Sequence, residues 1–253
     1  MLCHVIGVMN LKAMKTYLMI LVLSVSSVIV KAQDKEFYEK VNHITSMYIN
    51  HGLVNYTALQ AAPTELNAVV DMIKKTELKT LNDQEFVAFV INAYNMLVIY
   101  NVVNSYPLES VIKENGFFSD KSFSIGKVVL SLDDLEKKIL FGKSKDSRLH
   151  FALSCAAVGC PPLSKTVYMP QTINEQLDEQ ATISINDPDF IRVDRTKKEV
   201  QLSQIFEWYG LHFGSSKKQQ IAYLNRYLKE PIDESYNVKF YQYDWNLNDW
   251  KKP

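Results

Sequence analysis

Cysteine is scarce in this chain of 253 residues, which has three, and only Cys155 and Cys160 lie beyond its N-terminal stretch. Domains that depend on disulfides for their stability contain many more cysteines than this. The scarcity excludes a disulfide-built scaffold, so an apolar core must stabilise the fold. The sequence also lacks a glycine-rich phosphate loop, an internal repeat and a low-complexity segment. A doubly wound nucleotide-binding sheet is therefore disfavoured.

A strong net charge is missing as well. The chain has 28 basic and 28 acidic residues. Its first 32 residues contain Lys12, Lys15 and Lys31 but no acid, so residues 33–253 carry a net charge of −3. Proteins that bind nucleic acid or anionic membranes usually have a basic stripe, and none is present here. We expect no nucleic-acid partner.

The N-terminal residues have the pattern of a secretory signal peptide. Lysines precede an apolar run over residues 17–30, and Ala32 ends a small-residue cleavage site. The run has 14 residues, too few for a comfortable membrane span. We expect cleavage after residues 1–32, export to the periplasm or the medium as a single domain over 33–253, and no stable membrane insertion afterwards. An uncleaved anchor is the alternative, and Met14 is a more usual start than the first methionine.

Hydrophobic periodicity predicts an α+β domain, rich in helix, with antiparallel hairpins around one central apolar helix. The predicted helices cover residues 35–51, 63–78, 82–104, 133–140, 171–186, 203–212 and 216–229. The predicted strands cover residues 123–125, 128–130, 149–154, 190–193, 200–202 and 238–243. The strands do not alternate regularly with helices, which favours the α+β class.

A polar stripe interrupts the predicted central helix. Glu85, Asn92 and Asn95 are spaced by seven and three residues, so they share one helix face. Buried asparagines need partners for both ends of the amide. One interpretation is a polar wall of a pocket, in which an asparagine orients a histidine or holds a substrate carbonyl. The other is that these side chains tie neighbouring loops to the helix.

The segment from His150 to Cys160 contains a histidine and two cysteines, the minimal groups for thiol catalysis. On an ideal strand His150 and Cys155 point to opposite faces. A local pair therefore requires the strand to end near Ser154, with Cys155 on a turn or a helix start. Three interpretations stay open, in which Cys155 is a nucleophile, a disulfide partner of Cys160, or a buried thiol. The spacing does not fit a structural zinc site, and no metal is predicted.

The chain resembles the DUF547 domain family, whose function is unknown. Four segments carry the resemblance, at residues 89–95, 148–155, 159–163 and 243–248. It extends over about residues 80–250 and implies that the Asn92 helix and the His150–Cys155 segment belong to one domain. In the plant-type motif serine replaces Cys160, which implies that a disulfide is not common to the family. An acid is expected at the position of His212.

These observations lead to two hypotheses. The first is a thiol-dependent hydrolase or acyl transferase for amide or peptide-like substrates, with Cys155 as nucleophile, His150 as base and Asn92 as orienting residue. Glu85, Asn95 and Cys160 would then contact the substrate. The second is a non-catalytic ligand-binding or envelope interaction module with structural cysteines. Either would take a small-molecule or peptide-like ligand, no cofactor is predicted, and the oligomeric state stays open.

Overall fold

The structure is a computed structural model that describes residues 35–250. Contacts along the chain group residues 1–39 and 40–253 into two units. Of the first unit residues 35–39 are described, and they are helical. The predicted signal peptide lies outside the described residues. The elements and the site below all belong to the second unit.

The described helices include one long central helix and several single turns. They are α1 (residues 40–48 of this unit), α2 (Tyr56–Ala61), α3 (Thr64–Lys75), α4 (Asp83–Ser105), α5 (Phe141–Lys143), α6 (Leu149–Ala152), α7 (Ile173–Ile185), α8 (Ile205–Trp208), α9 (Gly210–Phe213) and α10 (Lys217–Leu224). Three short 3₁₀ turns cover Leu78–Thr80, Val111–Lys113 and Pro170–Thr172, and a π-helical segment, Asp134–Leu140, leads directly into α5.

The strands form three small sheets. They are β1 (Ile49–Asn50), β2 (Leu53–Val54), β3 (Ser122–Ile125), β4 (Val128–Ser131), β5 (Ile191–Asp194), β6 (Glu199–Ser203) and β7 (Asn237–Tyr241). The pairs β1–β2, β3–β4 and β5–β6 are antiparallel, whereas β7 pairs with β6 in parallel, with Val238 opposite Val200. The α+β prediction and both longer hairpins are confirmed.

The central helix begins as the sequence predicts. The Asn82 side chain accepts a hydrogen bond from the Glu85 amide, and the Glu85 carboxylate accepts one from the Asn82 amide, which forms a capping box. By length and composition α4 could cross a membrane, but 89% of its most apolar window is buried inside the protein. Such burial on all sides is typical of a helix at the centre of a core.

Two predicted helices are shorter or more broken than expected. The predicted helix over 203–212 is two single turns, α8 and α9, because Tyr209 between them leaves helical geometry at φ −111°, ψ 30°. The last helix ends at Leu224, not at 229. There the Asn225 side chain bonds both the amide and the carbonyl of Ile232, which turns the chain back. The first break places Trp208 and Tyr209 at the site described next.

Candidate functional site

The segment that carries the histidine of the predicted site is a helical turn, so the predicted strand over 149–154 is wrong. Asp146 accepts a hydrogen bond from the Arg148 amide at 2.9 Å, and this local turn starts α6. The chain becomes extended only at Leu153, where ψ is 138°. His150 therefore lies on a helical turn and Cys155 on the loop after it. The opposite orientations that an ideal strand would impose do not arise.

A side chain of α4 makes the backbone hydrogen bonds that a neighbouring strand would otherwise make to residues 152–154. The Asn95 Nδ2 donates to the Ala152 carbonyl at 2.9 Å, and the Asn95 Oδ1 accepts from the Ser154 amide at 2.9 Å. This pair of bonds has the pattern of one rung of a sheet. Because both backbone groups are buried, they would otherwise lack partners. Asn95 thus holds the backbone between His150 and Cys155 against α4.

A cavity of about 270 Å³ opens beside this segment, and we call it the site cavity. Polar and aromatic side chains make up most of its wall. It is lined by Tyr94, Phe118, Asp133, Glu136, Lys137, His150, Leu153, Cys155, Cys160, Pro161, Ile205, Trp208, Tyr209, Tyr243 and Trp245. Most of these residues come from α4, the π-helical segment, α6, α8 and the chain after β7. The cysteines come from the loop that follows α6, residues 153–161, which we call the α6 loop. Cys160 and Pro161 also line a second, more polar cavity of about 400 Å³.

The two cysteines of the site cavity are free thiols in contact with one tyrosine. The Cys155 amide donates to the Cys160 Sγ at 3.1 Å. The Tyr243 hydroxyl donates to the Cys160 Sγ at 3.1 Å and lies 3.0 Å from the Cys155 Sγ. We call these three residues the thiol cluster. Both cysteine residues are half-buried and line the cavity.

The two cysteines of the thiol cluster have pKa values shifted in opposite directions. Burial by itself would raise the pKa of Cys160, but bonds from the Cys155 thiol, the Tyr243 hydroxyl and the amides of Ala157 and Cys155 lower it to about 7. The pKa of Cys155 is raised well above its ordinary value, first by the bond to Cys160 and then by burial. The cluster therefore favours the thiolate on Cys160 and the proton on Cys155.

The loop that carries the cluster is shaped by two tight positions. Ala156 has a φ of 61°, a left-handed conformation that costs a non-glycine residue about 1 kcal/mol or more. Gly159 packs so closely on the following segment that an added Cβ would lie 2.9 Å from the Asp244 nitrogen. The amides of Val158 and Gly159 donate to the carbonyls of Asn246 and Asp244, each at 2.8 Å. The loop is thereby fixed to the segment that holds Tyr243.

His150 is buried, with 5% of its surface exposed, and it pairs with a second histidine. Its Nε2 lies 2.7 Å from the Nδ1 of His212, which is exposed. The His150 ring packs on Phe141 and Tyr209 at centroid distances of 4.4 and 4.3 Å. Burial, and secondarily His212, lower the pKa of His150 to about 3. The His150 imidazole is therefore neutral at physiological pH.

A carboxyl group faces the same cavity. The Tyr209 and Tyr94 hydroxyls donate to the two carboxylate oxygens of Glu136, both at 3.2 Å. Burial raises the pKa of Glu136 above its usual range, although these two hydrogen bonds oppose the shift. Glu136 comes from the π-helical segment, a distortion that is frequent at functional sites. The cavity thus holds an acid, a neutral imidazole and a thiolate.

The outer wall of the cavity is aromatic. Trp208, Tyr243 and Trp245 contact one another at centroid distances of 4.7 to 6.0 Å, and 47% of the Trp208 surface is exposed. Exposed tryptophan next to a polar cavity is typical of a surface that contacts an apolar or planar group of a ligand.

The structure brings three of the six predicted site residues together. His150, Cys155 and Cys160 line the site cavity, and the other three do not belong to its described lining. Glu85 caps α4. Asn92 bonds the Ala88 carbonyl and both backbone groups of Tyr168, so its amide is fully used. Asn95 is likewise used by the α6 loop. The asparagines hold loops, as the second interpretation of the polar stripe expects.

Several side chains of the cavity are not predicted from the sequence, above all Glu136, Tyr209 and Tyr243. At position 212, where the resemblance implies an acid, the histidine bonds His150. Hydrogen bonds between His150 and Cys155 are absent among the described contacts, although both line the cavity. The described residues also contain no group of three or more histidine, cysteine or acidic side chains that could hold a metal ion.

Comparison with known proteins identifies one segment. Residues 78–183 match a family model described as "Protein of unknown function, DUF547". The match confirms the resemblance over α4, the α6 loop and α7, and it stops before β5. It includes Glu136, His150 and the two cysteines, but not Tyr209, His212 or Tyr243. No curated protein and no solved structure matches the chain.

Proposed function

Since residues 78–183 form a DUF547 domain, we propose that this domain and the segments around it make a thiol-dependent hydrolase or acyl transferase for amide or peptide-like substrates. The thiol cluster carries the proposal, because it places a thiolate of neutral pKa in a cavity that also holds an imidazole. A thiol whose pKa is near the ambient pH combines a large thiolate fraction with good nucleophilicity.

The nucleophile in this proposal is Cys160, in place of the Cys155 that the sequence favoured. Two backbone amides and a hydroxyl stabilise the Cys160 thiolate, and the Cys155 thiol adds a further hydrogen bond. Cys155 keeps its proton at neutral pH because its pKa is raised. The serine that the plant-type motif has at position 160 would still be a hydroxyl nucleophile, which agrees with this assignment.

The proposed reaction proceeds through a thioester. The Cys160 thiolate attacks the substrate carbonyl, and the amine leaves with the proton of the Cys155 thiol. Water then attacks the thioester while His150 takes one of its protons, and the Cys160 thiolate leaves. His150 afterwards gives that proton to solvent and is neutral again. The carboxylic acid product returns a proton to Cys155. An acyl acceptor in place of water would make the same site a transferase.

Alkylation with iodoacetamide tests the proposal. In a Cys3→Ser background Cys155 and Cys160 are the remaining thiols, and intact mass counts the groups added. We expect one fast addition, mapped to Cys160 by peptide mass, with a rate that rises with pH through about 7. Cys160→Ala should abolish the fast addition. Cys155→Ala should keep it but move its midpoint to higher pH, because a donor to the thiolate is lost.

Two results would reject the proposal that Cys160 is the nucleophile of an enzyme. One is slow alkylation of both thiols, at the rate of free cysteine, and the other is fast addition at Cys155 that survives in Cys160→Ala. A mass lower by two hydrogens in protein purified without reductant would identify a disulfide. In that case reduction must restore fast alkylation for the proposal to stand.

The aromatic wall favours a second candidate, a ligand-binding module without catalysis. Trp208 and Trp245 would contact an apolar or planar ligand group, and the cysteines would only support the loop. A tryptophan fluorescence titration with peptide-like ligands distinguishes the two. In the module, Cys160→Ala binds as wild type does and no substrate is turned over.

Export of the protein is a further part of this proposal, supported by the residues before position 33. Expression of the full chain with a C-terminal tag, followed by fractionation and mass analysis of the mature N-terminus, tests it. We expect a mature chain that begins at Gln33. Recovery of the intact N-terminus in the cytoplasm would contradict export.

A further inference from the structure

Two histidines form a continuous path from the site cavity to the protein surface. The buried His150 lines the cavity, and its Nε2 lies 2.7 Å from the Nδ1 of His212. His212 is exposed and lines a separate open depression between α8 and the start of α10. Each imidazole has one nitrogen in the shared hydrogen bond. The other nitrogen of each ring, Nδ1 of His150 and Nε2 of His212, is not part of this bond.

We propose that His212 relays a proton between His150 and solvent during hydrolysis of the thioester on Cys160. The inference rests on the proposed function, because it concerns the water-dependent half of the same reaction. It adds a residue at the surface that the thiol chemistry alone does not require.

The relay conserves protons at every position. Before the step, His150 carries its proton on Nε2 and donates it to the Nδ1 of His212, which carries its own proton on Nε2. The attacking water gives one proton to the Nδ1 of His150, and its oxygen forms the new bond to the acyl carbon. The Nε2 proton of His150 moves to His212, and His212 releases its Nε2 proton to solvent. Both rings end in the other tautomer and neutral.

The surroundings of His150 explain why a relay is needed. Its ring packs against Phe141, Tyr209 and Phe213, at centroid distances of 4.3 to 5.2 Å. The described titratable groups in contact with it are His212, through a hydrogen bond, and the Tyr209 ring, whose hydroxyl donates to Glu136. No described carboxylate therefore stabilises an imidazolium there. A proton that enters at Nδ1 while another leaves at Nε2 avoids forming that charge.

His212 could instead only hold the His150 ring in place, so the variants must separate the two roles. Asparagine at position 212 keeps a short acceptor close to the place of Nδ1, and it can still orient His150. It has no second nitrogen from which a proton can pass to solvent. His212→Asn, with His212→Gln as a second geometry, thus preserves positioning and removes the relay. His43, an exposed histidine on α1 bonded to Glu65, supplies the control variant His43→Ala.

The measurement is burst kinetics of the full-length protein with p-nitrophenyl acetate. Formation of the thioester releases one equivalent of p-nitrophenolate in a burst, and hydrolysis sets the later steady rate. We expect wild-type bursts in both position-212 variants and a steady rate lowered by about 100-fold, the lower end of the range of general acid–base effects. Added imidazole should restore much of that rate after the hydrolysis by imidazole alone is subtracted, and His43→Ala should equal wild type.

Each other outcome is decisive. A wild-type protein that releases no p-nitrophenolate above the protein-free rate, either as a burst or in steady turnover, forms no thioester, which rejects the proposed function and the relay with it. Steady release without a burst would mean that acylation limits the rate, and the relay is then measured by the decay of the acetyl-enzyme mass after substrate is removed. A normal burst with an unchanged steady rate in His212→Asn overturns the relay alone. A lowered steady rate that imidazole does not restore assigns His212 to positioning and also overturns the relay.

Discussion

The backbone amide of Cys155 donates a hydrogen bond to the sulfur of Cys160 across 3.1 Å. The residue that keeps a proton on its own thiol therefore helps to hold the charge on its neighbour. Five positions separate the two residues, and the left-handed Ala156 between them lets the chain turn back. The pair is consequently an asymmetric acid and base rather than two equivalent thiols.

Tyr243→Phe should weaken this asymmetry. The ring would stay buried, but Cys160 would lose a hydroxyl donor at 3.1 Å. A hydrogen bond to a charged group contributes about 1.5–3 kcal/mol, so the pKa of Cys160 should rise by roughly 1 to 2. The pH midpoint of iodoacetamide alkylation measures this. Trp245→Phe, which removes no donor to sulfur, is the control, and an equal midpoint in Tyr243→Phe and wild type would contradict the assigned bond.

Asn95→Ala and Asn92→Ala should lower the free energy of unfolding by similar amounts, but they should differ in the alkylation rate of Cys160. Each leaves a buried backbone amide and carbonyl without a partner, at Ser154 and Ala152 or at Tyr168. We expect each to lower the free energy of unfolding by about 2 to 4 kcal/mol. Asn95→Ala alone should also slow alkylation of Cys160, because it frees the α6 loop. Equal alkylation rates in the two folded variants would refute this role of Asn95.

Glu136→Gln should stabilise the protein in a way that depends on pH. The folded-state pKa of Glu136 is raised by burial, so its contribution to stability is present at low pH and is lost as pH rises through the folded pKa. Glutamine stays neutral at every pH. Denaturant unfolding should therefore show a more stable variant at about pH 8 and no difference at about pH 4. A variant less stable at about pH 8 would mean that the tyrosine bonds outweigh burial.

Gly159→Ala and Gly142→Ala should change the free energy of unfolding in opposite directions. The added Cβ at position 159 meets the Asp244 backbone at 2.9 Å, whereas at position 142, in α5, nothing lies within 4 Å. We expect Gly159→Ala to lower the free energy of unfolding by about 1 to 3 kcal/mol, as overpacking does. Gly142→Ala should raise it by up to about 1 kcal/mol through helix propensity. Thermal unfolding of the two variants measures both changes. A Gly159→Ala variant as stable as the wild type would contradict the close packing of Gly159 on the Asp244 backbone.

Local signals explain what the sequence predicts correctly. Asn82 with Glu85 begins α4, and Gly126, with a φ of 56°, turns the chain between β3 and β4. These features involve residues three to four positions apart, so the pattern alone is sufficient. The fold class and the central helix follow from the same kind of information.

The site is less predictable because its decisive contacts are distant in sequence. Ser154 is held by Asn95, 59 positions earlier, and Tyr243 reaches Cys160 from 83 positions later. Alternation in residues 149–154 fits a strand, but a side chain supplies the bonds that a strand would have made. His150 and His212 meet across 62 positions, which no periodicity can indicate.

The pairing of the α6 loop with the chain around Asp244 means that the segment matched by the family model does not contain all the contacts that hold this loop. The family match ends at residue 183, yet the loop inside it is braced by backbone 60 and more positions further on. A protein trimmed to the recognised segment would keep both sulfurs and lose the tyrosine, the second histidine and the brace. The smallest portion able to present the thiolate extends nearly to the last described residue.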